Sequence, residues 1–269
     1  MPTVTFDVWH TLVKLHPAEE DRYLARQEAA LADVVRSSPR ARRPGPDSGV
    51  TPDEAARLAF YAANHRPGRG SPVVELARDA ARRAGRTARP RQWLRAVEAY
   101  VAALPFEGVA GARSELQRLR HQGYRTAVVS NLVGETGVSM RAVLRRLDMD
   151  RFIESWAFSD ELPWAKPAPQ IFWRAIAPLD TTPTEAVHVG DLGPDVQGAR
   201  AAGFRGAVLF RGAKEYGRRY SEVCRTNAPI DPPPDLVLDL WSDFPRLLDS
   251  LFPRTRRSRA GARTRGRTR

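Results

Sequence analysis

The chain opens on a short apolar run, TVTFDV at residues 3–8, rich in β-branched residues and too short for a helix. That pattern predicts a buried strand. After Thr11 the period changes. From Pro17 to about Ser37 the residues Tyr23, Leu24, Ala30, Leu31, Val34 and Val35 recur at helical spacing, with Gln27 interrupting the stripe. The stretch SPRARRPGPDSG then breaks the helix, as proline and glycine clusters do. Thr51, Pro52 and Glu54 carry the start signals of a second helix, a side-chain acceptor at the cap and proline in the first turn. Helices are expected near 72–84 and 90–104, so residues 14–105 read as all-helical.

From residue 106 the texture alternates. GARSELQRLRHQG predicts a helix ended by Gly123, YRTAVVS a strand at 124–130, and a helix follows near 137–147. ESWAFS reads as a strand, APQIFWRAIAPL as a helix, AVHVGD as a strand and GPDVQGARAAG as a helix. RGAVLFR and DLVLDL are two more strands, and DFPRLLDSL a last helix. Strands alternating with helices predict an α/β fold, a Rossmann-like parallel sheet covered on both faces. Strand 3–8 joins that sheet. The helical segment becomes an insertion over the carboxyl ends of the strands, where open α/β sheets bind ligands. The expected division is a core of 1–13 and 106–252, a helical cap of 14–105 and a tail of 253–269.

Composition narrows the function classes. With 42% apolar and 28% charged residues over 269 positions, the chain reads as a globular protein. No apolar run approaches the ~18 residues of a membrane span. The start, MPTVTFDV, lacks the basic and apolar regions of a secretory signal. One cysteine, Cys224, excludes an internal disulfide and a cysteine-built metal site. A cytoplasmic protein is expected. The net charge of +12 suggests nucleic acid, but eight arginines lie beyond Pro253, and without them the charge is +4. That tail has no apolar periodicity and is expected to be a disordered, solvated extension, the one place where an RNA or an anionic surface would be held. Lysine occurs only at Lys14, Lys166 and Lys214, against forty arginines, so a lysine at a meaningful position stands out.

The candidate chemistry sits just past strand ends: Asp7 after the first strand, Ser130 and Asn131 after the second, Asp191 after VHVG, and Lys166 in the loop SDELPWAKP. Each alone reads as a turn, a helix cap or a surface charge. In this order, FDVWHTLV, VVSN, the Lys166–Pro167 pair and VGDLGPDVQGARAAG resemble the motifs of the haloacid dehalogenase superfamily of hydrolases. The resemblance covers residues 3–13 and 106–252, and the insertion is similar to that superfamily's helical type-one caps. It implies Asp7 as a nucleophile that forms an aspartyl ester. It implies Mg²⁺ held by Asp7, the backbone carbonyl of Trp9 and Asp191, with Asp195 orienting a water or Lys166. Lys166 would offset charge repulsion, Ser130 and the Asn131 amide would bind a phosphoryl oxygen, and Thr11 would fix the loop. The implied substrate is a small phosphorylated molecule.

Phosphatases of that superfamily commonly carry a second aspartate where this chain has Trp9. An indole N–H neither protonates an alkoxide nor activates water. Loss of general acid–base help costs ~10²–10⁴ in rate, so alkyl phosphates are expected to be poor substrates. Either the leaving group needs no proton, or another residue supplies it. His10 is a candidate by its neutral-range chemistry, Arg22 a candidate anion clamp and Trp164 a candidate pocket wall. Two alternatives stand beside phosphoryl transfer. A metal-independent 2-haloacid dehalogenase also has an aromatic residue at the position of Trp9, but not the Asp191 carboxylate. A non-catalytic binding protein would have no need of a nucleophile.

Overall fold

A computed structural model describes residues 1–43, 45, 48–213 and 215–252. The tail expected at 253–269 lies outside the described residues. The first strand, β1 (Thr3–Phe6), is central rather than peripheral. It pairs in parallel with β4 (Arg125–Ser130) on one side and β6 (Ala186–Gly190) on the other, with Thr5 level with Ala127 and His188. β5 (Ser155–Phe158), β7 (Gly206–Phe210) and β8 (Leu236–Leu238) extend a six-stranded sheet of order β5-β4-β1-β6-β7-β8, parallel throughout.

Every residue of β1 and β6 is buried, which a parallel sheet requires when helices cover both faces. The period of two sorts the side chains. Val4, Phe6, Val128, Val187 and Val189 share one core with Leu116 and Leu119 of α5 (Ala112–His121). Ala127, Val129 and Ala186 face the other, with Ile171 and Phe172 of α7 (Pro169–Ile176) and Val196 and Ala199 of α8 (Gly193–Ala201). α6 (Gly137–Arg146) and α10 (Phe244–Leu251) complete the cover. All these elements lie within a few residues of their predicted spans.

The helical insert comprises α1 (Pro17–Arg36), α2 (Pro52–Asn64), α3 (Val73–Arg83) and α4 (Pro90–Ala103). Thr51 caps α2 as its sequence signal predicts, accepting from the Glu54 amide at 3.3 Å. Leu31, Val35, Ala56, Ala59, Trp93 and Val97 give the insert its apolar centre. Gln27 interrupts the α1 stripe because that position meets the core: its Nε2 donates to the Gly134 carbonyl at 3.1 Å. Gly134 has φ +91°, and a Cβ there would stand 2.8 Å from both Gln27 Nε2 and Phe60, so the loop approaches the insert only without a side chain.

Two elements depart from the sequence reading. The insert is stitched to the core by a two-stranded ribbon, β2 (Val13–Lys14) against β3 (Glu107–Gly108), so its ends are not helical. Two residues per strand are too few to show a period. Between β7 and β8 runs α9 (Arg218–Cys224), whose short polar sequence carries no apolar stripe. Among the described residues no helix is long and apolar enough to cross a membrane.

Candidate active site

The carboxyl end of β1 turns sharply after Phe6. The Asp7 amide donates to Val189 O at 2.9 Å, holding its backbone against β6. The Leu12 and Val13 amides both donate to Val8 O, and His10 takes a left-handed backbone with φ 53°. This tight loop leaves the buried Asp7 side chain at the sheet rim.

Lys166 meets it there. Its Nζ lies 2.8 Å from Asp7 Oδ1 and 2.6 Å from Asp195 Oδ1. The lysine backbone is clamped by the Asn131 side chain, which accepts from Lys166 N at 2.7 Å and donates to Lys166 O at 3.0 Å. Asp195 is held in turn. Its Oδ2 accepts from the Leu192 amide at 3.0 Å, and its Oδ1 from His188 Nε2 at 2.9 Å. Thr5 Oγ1 stands 2.8 Å from the other ring nitrogen of His188. Gly190 makes the approach of α8 feasible, because a Cβ there would lie 2.2 Å from Asp195 Cγ. Asp191 completes the group: oxygens of Asp7, Asp191 and Asp195 lie within 4.8 Å of one another. Tyr216 donates to Asp191 Oδ2 at 3.1 Å, and Asp191 Oδ1 is buried with no protein partner.

The electrostatics are lopsided. Burial pushes Asp191 well above the usual carboxylate range, and the Asp7 and Asp195 charges push it further. Burial acts on Asp195 in the same direction, but Lys166 and His188 outweigh it and hold that carboxyl far below the usual range. Burial works against charge on Lys166, yet Asp195 and then Asp7 raise it above an ordinary lysine. Burial lowers His188, so it is neutral and donates through Nε2. Ionising Asp191 beside Asp7 and Asp195 would set three carboxylates against one ammonium, which is why its proton is held so tightly in the absence of further positive charge. A hard divalent cation fits that donor set, in charge, in oxygen chemistry and in the free Asp191 Oδ1.

A family profile described as haloacid dehalogenase-like hydrolase matches residues 1–203, three quarters of the chain. The chain belongs to the haloacid dehalogenase-like hydrolases. Among characterised relatives, this hydrolase is 34% identical to pyrophosphatase PpaX of Bacillus anthracis over 131 residues, 49% of this chain and 58% of that protein. It is 36% identical to glyceraldehyde 3-phosphate phosphatase of Pyrococcus furiosus over 116 residues, 43% of this chain and 45% of that one. The chain thus spans about half the length of the relatives it matches. Solved structures share the fold. A predicted phosphoglycolate phosphatase of Haemophilus somnus has a TM-score of 0.59 at 21% identity, covering 92% of this chain and 98% of that one. A 2-haloacid dehalogenase of Pseudomonas syringae also reaches 0.59 at 21% identity, covering 93% and 99%.

Asp7, Lys166, Asp195 and Asn131 line a cavity of about 540 Å³ that extends from the sheet rim to the insert of this hydrolase. Trp9 lines it too, its ring stacked on Tyr23 at 5.8 Å and edge-on to Phe106 at 5.0 Å. The Ser130 and Thr11 hydroxyls are buried without a protein partner and are not on the cavity surface. Three more candidates lie away from it. His10 is fully buried, 2.6 Å from Glu20 Oε1 and walled by Tyr216 and Tyr220, and is not on the cavity surface. Arg22 is exposed and pairs with Glu19, three residues back on the outer face of α1. Trp164 is bridged through its backbone to Arg69 and stays outside the cavity.

Sequence reasoning passes over several residues that the fold brings in. His188 carried a signal, an imidazole inside an otherwise apolar strand. Tyr216 and Tyr220 carried none, since nothing in their segment marks it as returning to the site. Glu135 and Tyr23 also face the cavity, and Tyr23 donates to Glu135 Oε1. Neither is legible as a pair, because they lie 112 residues apart.

Proposed function

We propose that this hydrolase cleaves small phosphorylated molecules through a covalent Asp7 adduct, with Mg²⁺ held by Asp7, Asp191 and the Trp9 carbonyl and with Asp195 behind them. The observation that carries the reading is the cluster of three buried carboxyl groups with one lysine and an unpartnered Asp191 oxygen. The names of the relatives, a pyrophosphatase and a sugar-phosphate phosphatase, support it. Mg²⁺, when bound, offsets negative charge on the phosphoryl group.

The chain's own residues do the rest. Lys166 anchors Asp7 at 2.8 Å and brings positive charge beside it. Asp195 and His188 fix the lysine from behind, and Asn131 fixes its backbone. Asp7 attacks phosphorus, the bond to the leaving oxygen breaks, and water then cleaves the aspartyl phosphate. The Ser130 hydroxyl, buried without a protein partner next to cavity-lining Asn131, is the proposed contact for a phosphoryl oxygen. The helical insert acts as the cap: Trp9 and Tyr23 with Leu24 and Phe60 give the organic part of the substrate an apolar wall.

Halide displacement is the second reading, favoured by Trp9 and by the dehalogenase neighbour. It makes no use of Asp191, and a haloacid carboxylate would meet the existing negative charge. A panel of aryl, acyl and alkyl phosphates and short 2-haloacids, each assayed with Mg²⁺ and with chelator, separates the two. Phosphate release that requires Mg²⁺ and falls at least ~10³-fold in Asp7→Asn is expected. Halide release indifferent to chelator overturns the proposal.

A further inference from the structure

The cavity contains one buried carboxyl that the Asp7 cluster does not use. Glu135 lies in the loop after Ser130 and Asn131, and its side chain is 5% exposed on the cavity wall. One carboxyl oxygen accepts from the Tyr23 hydroxyl, and the other accepts from the Val133 amide at 3.0 Å. Each oxygen keeps a further lone pair for a proton. Tyr23 is also the residue whose ring stacks on Trp9. Glu135 therefore lines the same cavity as the indole that occupies the place of the expected acid, and is joined to it through Tyr23. His10, the sequence candidate for that task, is off the cavity.

We propose that Glu135 is the catalytic acid and base of the phosphoryl reaction, held in place by Tyr23 and taking the task that Trp9 cannot perform. This rests on the Asp7 reading above. In the first step an Asp7 oxygen bonds to phosphorus, the ester P–O bond breaks, and the leaving oxygen takes the Glu135 proton. In the second step the Glu135 carboxylate takes a proton from water as the water oxygen bonds to phosphorus. The Asp7–phosphorus bond then breaks, releasing phosphate and restoring both residues. Burial pushes the Glu135 carboxyl up to about 7, against the lowering bonds from Tyr23 and Val133, and an acid of that strength suits catalysis near neutrality. The titratable groups facing it are Tyr23 on α1, Tyr100 on α4, Asp160 after β5 and Cys224 on α9. Burial pushes Tyr23 and Cys224 above their ordinary ranges and Tyr100 to about 12, so these stay neutral. Asp160, raised by burial to about 6, titrates below Glu135.

The substrate class that follows is wider than Trp9 alone allows, since alkyl phosphates gain a proton donor. The test compares 4-nitrophenyl phosphate, whose leaving group needs no proton, with an alkyl phosphate turned over by the full chain with Mg²⁺. Glu135→Gln is expected to lose ~10²–10⁴ in kcat/KM on the alkyl ester and at least ~10-fold less on the aryl ester. The fall of wild-type alkyl-ester kcat/KM above about pH 7 should vanish with it. Tyr23→Phe breaks the same clamp but keeps the carboxyl. It should slow the alkyl ester more than the aryl ester, though by less than Glu135→Gln, and move that limb upward, because the lost hydrogen bond favoured the ionised form. Equal losses on both esters in Glu135→Gln, or an unmoved pH limb, would reduce Glu135 to a tie between insert and core and overturn the proposal. Asp7→Asn retaining both activities, or a wild type inert to both esters, sinks the phosphoryl reading and this one with it, and is recognisable without the Glu135 variant.

Discussion

Asp191 is held in a place that suits a metal and little else. It is buried beside Asp7 and Asp195, with Tyr216 on one oxygen and no protein group on the other. Without a cation that charge opposes folding. Asp191→Asn removes it, so the metal-free variant is expected to melt about 2–4 °C above wild type at pH 8 by calorimetry, a gain of about 1 kcal/mol. The same variant should lose the melting shift produced by Mg²⁺. A lower metal-free melting temperature would mean that the carboxylate has other support. Asp7, Lys166 and Asp191 were legible as single residues because each follows a strand-like run and lysine is rare in this chain. Their mutual distances were not, because strand ends far apart in sequence converge only through sheet order.

Elements explain how the insert is registered on the core. α1 reaches down at several points: Gln27 to Gly134, Tyr23 to Glu135, and Glu20 Oε2 accepting from the Gly217 amide at 2.6 Å. Asp21 Oδ1 accepts from the Arg219 amide at 2.8 Å, so α9 is pinned to the same helix. Gly134→Ala tests this seam. The new methyl meets Gln27 and Phe60 at 2.8 Å on a left-handed backbone, and a loss of about 1–3 kcal/mol in stability is expected by denaturant unfolding. Activity should fall further than stability alone requires, since Glu135 is the next residue. An unchanged midpoint would show that the seam is loose. The sequence announced α1 but not the close approach of Gly134 to it. Gln27 looked like a defect in an apolar stripe, when it is a polar contact at the one place where the stripe meets a backbone carbonyl.

For the whole molecule, the candidate active site lies where β1, β4 and β6 end and the helical insert covers them. The proposed metal site predicts that binding and folding are linked. At about 100 times its Kd, Mg²⁺ should add about 2.7 kcal/mol, raising the melting temperature by about 5–10 °C over a chelated sample. The shift should be absent in Asp191→Asn. An unmoved melting temperature in wild type would argue against a resident divalent ion at this site. α9, between β7 and β8, packs against α1 and α2 of the insert and carries Tyr220 to the cavity.

Local pattern was enough for the strands of the main sheet, the helices other than α9, the place of the insert and the residues at the strand ends. These are properties of short segments: apolar period, caps, and turns that follow buried runs. The rest belonged to the tertiary structure because it depends on separation in sequence. Pairing β1 with β4 and β6 brought Asp7 to Lys166, set His188 behind Asp195 and left Asp191 in need of positive charge. Folding α1 over the rim joined Tyr23 to Glu135, a contact across 112 residues that no period or motif records. The residues at the strand ends, Asp7 first among them, could thus be picked out from the chain by itself, while the Tyr23–Glu135 pair forms only when the insert meets the core.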